Sequence, residues 1–241
     1  DVIVTSGFGM TSSVNKFQRI LGLKNYSFVF ANPKERPVVF VTHMEHHSNQ
    51  TSWYETIAEV VVVEPDENLM VSPANLRRTL ENYSDRPMKI GSFTACSNVT
   101  GIRTPVHELA RIMHEVGGLC FVDYAASAPY EEINMHPSEP LERLDAIFFS
   151  PHKFLGGPGA SGVLIFNSQL YKNRVPDNPG GGTVDWTNPW GEYKYVDNIE
   201  SREDGGTPAF LQMIRAALAI RLKEQMGTAK IRAREEELVA R

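Results

Sequence analysis

The chain has 241 residues, of which 41% are hydrophobic and 22% charged, as is ordinary for a soluble globular protein. Its net charge of -5, with no basic stripe, argues against a nucleic-acid partner. No apolar run reaches the length that spans a membrane, which argues against a membrane protein. The two cysteines, Cys96 and Cys120, fall in or beside apolar runs, so we expect a reducing, cytoplasmic location rather than a disulfide scaffold.

Apolar runs predict strands that alternate with helices along the chain. The predicted strands are residues 2–5, 38–41, 57–63, 90–93, 119–122, 146–149 and 162–166. The first predicted helix follows a turn at residues 6–10 and is capped by residues 11–13. Two more helices are predicted to begin near residues 73 and 105, and a further two cover residues 208–226 and 229–241. Residues 174–205 are predicted to be irregular. This alternation predicts an α/β fold, a three-layer sandwich with a mostly parallel central sheet.

A polar residue follows five of the predicted strands. These residues are Thr11, His46, Asn98, Asp123 and Lys153. Each alone is explained as a capping or loop residue. Because ligands bind outside the carboxyl ends of parallel strands, the five together predict a site at one edge of the sheet.

Lys153 is the residue around which this site is predicted. It lies between the apolar strand at residues 146–149 and a glycine-rich turn at residues 156–159. An ammonium group beside an apolar, partly closed site is poorly hydrated, which favours the neutral amine that attacks carbonyls. The pattern therefore indicates a Schiff-base lysine, with a surface lysine in a loop as the alternative.

The other four residues describe the ligand that such a lysine would meet. Asp123 directly follows a buried strand, so its carboxylate needs a cationic partner such as a protonated ring nitrogen. His46 offers a flat ring for stacking, and Asn98 offers an amide to a phenolic oxygen. The helix start at Thr11 favours a phosphate. With a lysine-reactive aldehyde, these features describe pyridoxal 5'-phosphate.

A metal site and a nucleotide site are two alternatives to this interpretation. Residues 43–47 contain three histidines and a glutamate, but the His-x-x-His-His spacing does not match helix or strand geometry for metal ligation. The glycines in residues 7–9 and 156–159 resemble phosphate loops. Neither run continues as Gly-Lys-Ser/Thr, which disfavours a nucleotide phosphate loop.

A hydrolase triad of Ser150, His152 and Asp123 is the third alternative. Ser150 lacks the Gly-x-Ser-x-Gly context of such nucleophiles, and Lys153 would have no role.

The chain resembles the large domain of class V aminotransferases, which are fold type I pyridoxal-phosphate enzymes, and especially their cysteine desulfurase and selenocysteine lyase branch. The matching motifs are Gly9-Met10-Thr11, Glu45-His46-His47-Ser48-Asn49, Ser97-Asn98-Val99-Thr100-Gly101, Asp123, Ser150-Pro151-His152-Lys153 and Gly205-Gly206-Thr207-Pro208. Their order and spacing agree over nearly the whole chain, which is more specific than any single motif.

The resemblance implies a role for each matching residue. Lys153 would hold the cofactor, Asp123 would pair with the ring nitrogen, and His46 would stack on the ring. Asn98 would contact the ring oxygen, and Thr207 would reach the phosphate of the neighbouring subunit in a homodimer with shared active sites. The expected catalytic residues are Lys153, Asp123 and His46. Thr11, Ser150 and His152 would hold the phosphate. The full set of expected cofactor-binding residues is Gly9, Met10, Thr11, His46, Asn98, Asp123, Ser150, His152, Lys153 and Thr207.

Two departures from the family leave the reaction open. Desulfurases usually place a glutamine three residues after the aspartate, where this chain has Ala126. The sulfur-accepting cysteine and the arginine that binds the substrate carboxylate belong to the C-terminal part of that family. We therefore expect a pyridoxal-phosphate enzyme of aminotransferase class V type that acts on an amino acid. A cysteine desulfurase or selenocysteine lyase is one alternative, and a catalytically inactive binding or regulatory module is another.

The two ends of the chain are expected to be cut from a longer protein. The first residues already lie in a strand-like run, and the last ones form a charged helical stretch without a stop signal. We expect residues 1–226 to form the large cofactor-binding domain, and residues 227–241 to form a helix that leads towards a small C-terminal domain.

Overall fold

A computed structural model describes residues 1–7, 9–25 and 30–241. Its strands are β1 Val2–Ser6, β2 Val38–Thr42, β3 Glu59–Val63, β4 Lys89–Thr94, β5 Leu119–Asp123, β6 Ala146–Phe149, β7 Gly162–Phe166, β8 Val184–Thr187 and β9 Tyr193–Tyr195. Its helices are α1 Gly9–Ile20, α2 His47–Tyr54, α3 Pro73–Glu81, α4 Val106–Glu115, α5 Ile199–Glu203, α6 Phe210–Met226 and α7 Thr228–Val239.

Seven of the described strands form one sheet in the order β1-β7-β6-β5-β4-β2-β3. Strand pairs β2–β3, β2–β4, β4–β5 and β5–β6 are parallel, whereas β7 runs antiparallel to both β1 and β6. Because β1 and β6 both oppose β7, they point the same way as β2 to β5. The mostly parallel sheet of the predicted α/β sandwich is confirmed, and the carboxyl ends of β1, β2, β4, β5 and β6 lie at one edge.

The two faces of the sheet are covered by different helices. Along β2, Val38 and Phe40 pack into the cluster that contains the buried faces of α3 and α4, while Val39 and Val41 pack into the cluster with α1 and Trp53 of α2. This division follows from the alternation of side chains along a strand. Near-continuous apolar runs are the pattern of strands buried on both faces, and all five residues of β2 are buried.

The structure corrects two predicted boundaries. Helix α1 begins at Gly9, so Thr11 lies inside its first turn rather than in a cap before it. The predicted turn at residues 6–10 includes Phe8, which lies outside the described residues. The stretch 174–205, predicted to be irregular, contains the β8–β9 hairpin and the short helix α5.

Helix α5, which follows the β8–β9 hairpin, is held against α1 by a buried ion pair. Lys16 Nζ lies 2.8 Å from Glu203 Oε2, and Tyr171 donates its hydroxyl to Glu203 Oε1 at 2.7 Å. Lys16 and Glu203 are both buried, so their charges depend on each other, as is usual for ions removed from water. This pair holds the end of α5 against α1, three residues before Gly206.

Among the described residues, no helix is both long enough and apolar enough to cross a membrane. Gly227 separates α6 from α7. The division of the chain into domains at residue 226 stays a prediction.

Gly162 permits the start of α1 to rest on β7, and its replacement tests that contact. A Cβ on Gly162 would collide with the backbone of Gly9, including its carbonyl oxygen. We expect Gly162→Ala to lower the free energy of unfolding by about 1–3 kcal/mol, because the backbone of a well-packed region must shift. Denaturant unfolding measures this loss.

The matched control is Gly180→Ala, since a Cβ on Gly180 meets no atom within 4 Å. Its free energy of unfolding should stay within about 0.5 kcal/mol of the unaltered protein. Equal stability of the two variants would contradict the contact between Gly162 and Gly9.

Candidate active site

Eight of the ten predicted cofactor-binding residues line one cavity of about 180 Å³ at the carboxyl edge of the sheet. Its lining residues are Met10, Thr11, His46, Ser48, Thr94, Cys96, Asn98, Asp123, Ala125, Ala126, Ser150, His152 and Lys153. They come from the segments that follow β1, β2, β4, β5 and β6. The parallel arrangement of these five strands therefore brings together residues that are up to 143 positions apart in the sequence, from Met10 to Lys153.

The floor of the cavity is formed where α1 begins against the end of β6. Met10 donates its backbone N–H to Ser150 Oγ at 2.9 Å, and Gly9, Met10 and Ser150 are buried. Gly9 has a φ of 62°, which favours glycine, and a Cβ there would lie 2.5 Å from His152 Cε1. The first turn of a helix presents unpaired N–H groups and a positive dipole end, so this floor suits an anion.

Asp123 is a buried carboxylate on the wall of the cavity. Its Oδ1 accepts the backbone N–H of Ala125 at 2.8 Å, the one hydrogen bond that its side chain receives from the part of the chain that the structure describes. Burial raises the pKa of Asp123 to about 6, against the opposing effects of the Ala125 N–H and the positive charge of Lys153. The charged form is therefore short of partners, and a cation in the cavity would stabilise it.

His46 is held as a neutral ring at the mouth of the cavity. It caps the N-terminus of α2, where Nδ1 accepts the backbone N–H of Ser48 at 3.1 Å. Burial, then the positive charges of Lys153 and His47, lower the pKa of His46. Since Nδ1 is the acceptor, the neutral ring carries its proton on Nε2.

A hydroxyl pair joins the starts of α1 and α2. Thr11 Oγ1 and Ser48 Oγ lie 2.7 Å apart, so one donates to the other. Because Ser48 also donates its N–H to the His46 ring, this pair connects the start of α1 in the floor to His46 at the mouth of the cavity.

Lys153 and His152 lie on the rim rather than in the floor. They end a 3₁₀ turn, Pro151–Lys153, that leaves the sheet after β6, and both side chains are exposed in this chain. The expectation that Lys153 lies in a partly closed, poorly hydrated environment is therefore not met by the described residues alone. The physical reason is the turn, which carries the two side chains past the end of the sheet, while Asp123 remains within β5.

The wall near Asn98 contains Cys96, which the sequence did not single out for the site, and Ala126, which stands where desulfurases usually have a glutamine. Cys96 and Ala126 both line the cavity, and Asn98 is exposed at its edge. Burial, with a contribution from Glu131 and against Arg103, raises the pKa of Cys96, so its sulfur is a thiol rather than a reactive thiolate. Its position two residues before Asn98 and just past β4 was the signal that could have found it.

Two predicted site residues do not line the cavity: Gly9, which lies against Ser150 and His152 at its floor, and Thr207, which the structure does not bring to it. Thr207 is exposed and follows Gly206, whose N–H is donated to the carbonyl of Gly181 at 2.8 Å. Its assignment to the site of a neighbouring subunit stays a prediction.

The alternative sites are not assembled by the described residues. No group of three His, Cys, Asp or Glu side chains is placed to hold a metal within residues 1–7, 9–25 and 30–241. In the same residues, Ser150 accepts from Met10 and Asp123 from Ala125, and no hydrogen bond links either side chain to His152 as a triad requires.

Comparison with known proteins places this geometry in a family. The model of the family "Aminotransferase class-V" matches residues 9–241. Two curated relatives are "Probable cysteine desulfurase 2" of Mycobacterium leprae, 30% identical over 84% of this chain and 46% of its own length, and "Probable cysteine desulfurase" of Halalkalibacterium halodurans, 29% identical over 95% of this chain and 53% of its own length. The chain thus spans about half the length of the curated relatives it matches.

Solved structures show the same likeness. A cysteine desulfurase from Thermococcus onnurineus superimposes with a TM-score of 0.79 at 26% identity, over 99% of this chain and 56% of that one. A cysteine desulfurase from Escherichia coli, with a TM-score of 0.72 at 23% identity over 95% of this chain and 53% of that one, supports the fold alone. The family model covers nearly the whole chain, and the chain therefore belongs to the aminotransferase class V family.

Proposed function

We propose that this chain is the cofactor-binding part of a pyridoxal-phosphate-dependent enzyme that acts on an amino acid. The observation that carries the proposal is the placement of Asp123, a buried carboxylate with one hydrogen bond from the described residues, in the same cavity as Lys153. A cationic ring nitrogen would supply the missing partner of Asp123, and the amine of Lys153 would bind the aldehyde. The buried floor at Gly9, Met10 and Ser150 would accept the phosphate.

Each residue has a task that follows from its surroundings. Pyridoxal phosphate, when bound, supplies a ring that withdraws electrons from the Cα of an amino acid. Asp123 would hold a proton on the ring nitrogen, and His46, neutral and fixed by Ser48, would stack on the ring. Lys153, at the rim, would hold and move a proton at its Nζ, as a general base and acid.

Two reaction types fit this site. Transamination requires the groups above together with a binding residue for the substrate carboxylate. Cysteine desulfuration is the second candidate, because the curated relatives carry that name. Ala126 lines the cavity where desulfurases usually have a glutamine, which favours transamination. Incubating the cofactor-loaded protein with L-cysteine and with other L-amino acids separates them: alanine with released sulfur indicates desulfuration, and a 2-oxo acid indicates transamination.

The whole protein is proposed to be a cytoplasmic homodimer with a small domain following α7. The free thiols of Cys96 and Cys120 fit a reducing compartment. A second subunit would cover apolar side chains that are exposed on this chain, among them Trp190 at 85% and Leu211 at 78%. Aromatic side chains such as Trp190 are enriched in the cores of protein interfaces. Under this proposal Thr207 reaches the phosphate in the partner's site.

The first test locates the lysine that binds the cofactor. After incubation with pyridoxal 5'-phosphate and reduction with borohydride, we expect peptide mass spectrometry to find the pyridoxyl group on Lys153. Lys153→Ala should remove this label, whereas Lys172→Ala, a change at an exposed lysine in the same chain, should retain it. A label on another lysine, or none on the unaltered protein, would contradict the proposed function.

The second prediction is that the negative charge of Asp123 destabilises the cofactor-free protein. Its folded pKa of about 6 lies above the ordinary value of 3.8, so the fold favours the protonated form and stability falls as the pH rises from about 4 to 6. We expect Asp123→Asn to raise the free energy of unfolding by about 1–3 kcal/mol at pH 8 and to lose that advantage near pH 4. Denaturant unfolding at both pH values measures the change.

The control for this prediction is Asp197→Asn, at a carboxylate with 89% of its side chain exposed. That change should leave the free energy of unfolding nearly the same at both pH values. Asp123→Asn should also weaken pyridoxal-phosphate binding, because the amide cannot neutralise a cationic nitrogen. A variant that is no more stable at pH 8 would show that the buried carboxylate is not under electrostatic strain.

The third prediction tests the shared site with two defective variants, Lys153→Ala and Thr207→Trp. If Thr207 acts on the partner's site, a heterodimer of the two has one intact site, which combines Lys153 of one subunit with Thr207 of the other. We expect pyridoxyl labelling of Lys153 to be weak in the Thr207→Trp protein alone and to recover after subunit exchange. Exchange proven by mass spectrometry without recovered labelling would reject the shared site.

A further inference from the structure

Glu45 is a buried carboxylate that the site described above does not use. It directly precedes His46, and 8% of its surface is exposed. Its Oε1 accepts the hydroxyl of Thr42 at 2.8 Å, the N–H of Thr42 at 3.3 Å and the N–H of Thr94 at 2.9 Å. Its Oε2 accepts the side-chain amide of Asn49 at 2.7 Å. These four donors belong to three different elements.

The donors connect both sides of the cavity to one carboxylate. Thr42 is the last residue of β2, Thr94 is the last residue of β4, and Asn49 lies in the first turns of α2. Asn49 continues the network into the core, because its Oδ1 accepts the Ser92 hydroxyl at 2.8 Å and the Trp53 Nε1–H at 3.2 Å. Glu45 therefore fixes where α2 starts relative to the ends of two strands.

These attachments set the distance between the two groups expected to face the ring of the cofactor. Thr94 is paired in register with Asp123, and the next N–H, that of Ala95, is donated to the Asp123 carbonyl at 2.9 Å. His46 caps α2, whose position depends on the bond between Glu45 and Asn49. We propose that Glu45 is the positioning residue of the cofactor site, which holds the start of α2, and with it His46, against the ends of β2 and β4 beside Asp123.

A carboxylate is the side chain that this position requires. All four partners are donors, and an ionised carboxylate is an acceptor on both oxygens. The amide of a glutamine would direct its NH₂ group at another donor, either at Asn49 or at the threonine N–H groups. Burial raises the pKa of Glu45 to about 7 in spite of its donors, and the negative charge of Asp123 adds to the rise. A residue that only filled space would carry no such electrostatic cost.

The inference rests on the proposed cofactor, and its test separates the two. Glu45→Gln is expected to weaken the binding of pyridoxal 5'-phosphate by about tenfold or more, by analogy with residues that orient metal ligands. It should also change the visible circular dichroism of the bound cofactor, which reports how the ring is held. The matched control is Glu67→Gln, at an exposed glutamate, which should bind as the unaltered protein does. If the unaltered protein does not bind the cofactor at all, the proposed function fails.

If the cofactor does not bind, the role of Glu45 can still be tested by amide hydrogen exchange in the cofactor-free protein. In Glu45→Gln, amide hydrogen exchange should accelerate at α2 and at the end of β4 relative to Glu67→Gln. Unchanged exchange at these two places, or a folded Glu45→Gln protein with unchanged affinity and circular dichroism, would overturn the proposal.

A swapped pair, Glu45→Gln with Asn49→Asp, covers the case in which the single variant does not fold. The new amide at position 45 donates to the new carboxylate at position 49, which still accepts from Ser92 and Trp53. The swap loses the 3.3 Å bond from the Asn49 amide to the Ser92 carbonyl. We expect the swapped pair to fold and to bind the cofactor within about threefold of the unaltered protein. A swapped pair that does not fold, or that folds but binds no better than Glu45→Gln, would overturn the proposal.

Discussion

The structure of the site depends on the free-energy cost of a buried negative charge at the end of β5. Asp123 is held there by strand pairing on both sides, with Thr94 of β4 and Phe148 of β6 as register partners. Its carboxylate is buried, and the one N–H that it receives from the described residues cannot replace the water it has lost. The rise of its pKa to about 6 expresses this cost, which amounts to roughly 3 kcal/mol above that pH. A cation in the cavity recovers this free energy, so the same feature that destabilises the empty site favours a ligand with a positive ring nitrogen.

Glu45 and Asp123 are both buried carboxylates, but they differ in the number of hydrogen-bond donors around them. Both carboxylates are buried at the carboxyl edge of the sheet, and each disfavours the charge of the other. Among the described residues, Glu45 meets four donors, whereas Asp123 meets one and faces the cavity. A buried group with all its hydrogen bonds made serves to hold structure, and one with bonds left unmade is available for binding. Counting donors therefore separates the positioning carboxylate from the binding one more sharply than their pKa values do.

The sequence was sufficient for the strands and for the edge where they end, because both depend on local patterns. Apolar runs located β1 to β7, and the rule that parallel strands share a carboxyl edge placed Thr11, His46, Asn98, Asp123 and Lys153 together. The start of α1 was misplaced because the contact of Gly9 with Gly162 and His152 is made between residues more than 140 positions apart. The β8–β9 hairpin was missed because glycines and prolines around two short strands conceal them. Cys96 was interpreted only as a sign of a reducing compartment, although its position just past β4 is at the edge of the sheet where the cavity lies.

Burial within the cavity is uneven, and this limits which steps the chain can perform by itself. Gly9, Met10, Asp123 and Ser150 are buried, so under the proposed function the floor would meet the phosphate and the ring nitrogen without rearrangement. The reactive side of the site, including Lys153 and His46, is exposed to water. Electrostatic control of a proton at Lys153 requires that water be excluded from the rim. Trp190 and Leu211 are apolar side chains exposed to water. In our proposal the second subunit would both exclude water from the rim and bury these two side chains. Under the proposed function the buried floor of the site belongs to the single chain, whereas closing the rim around Lys153 would require the assembly.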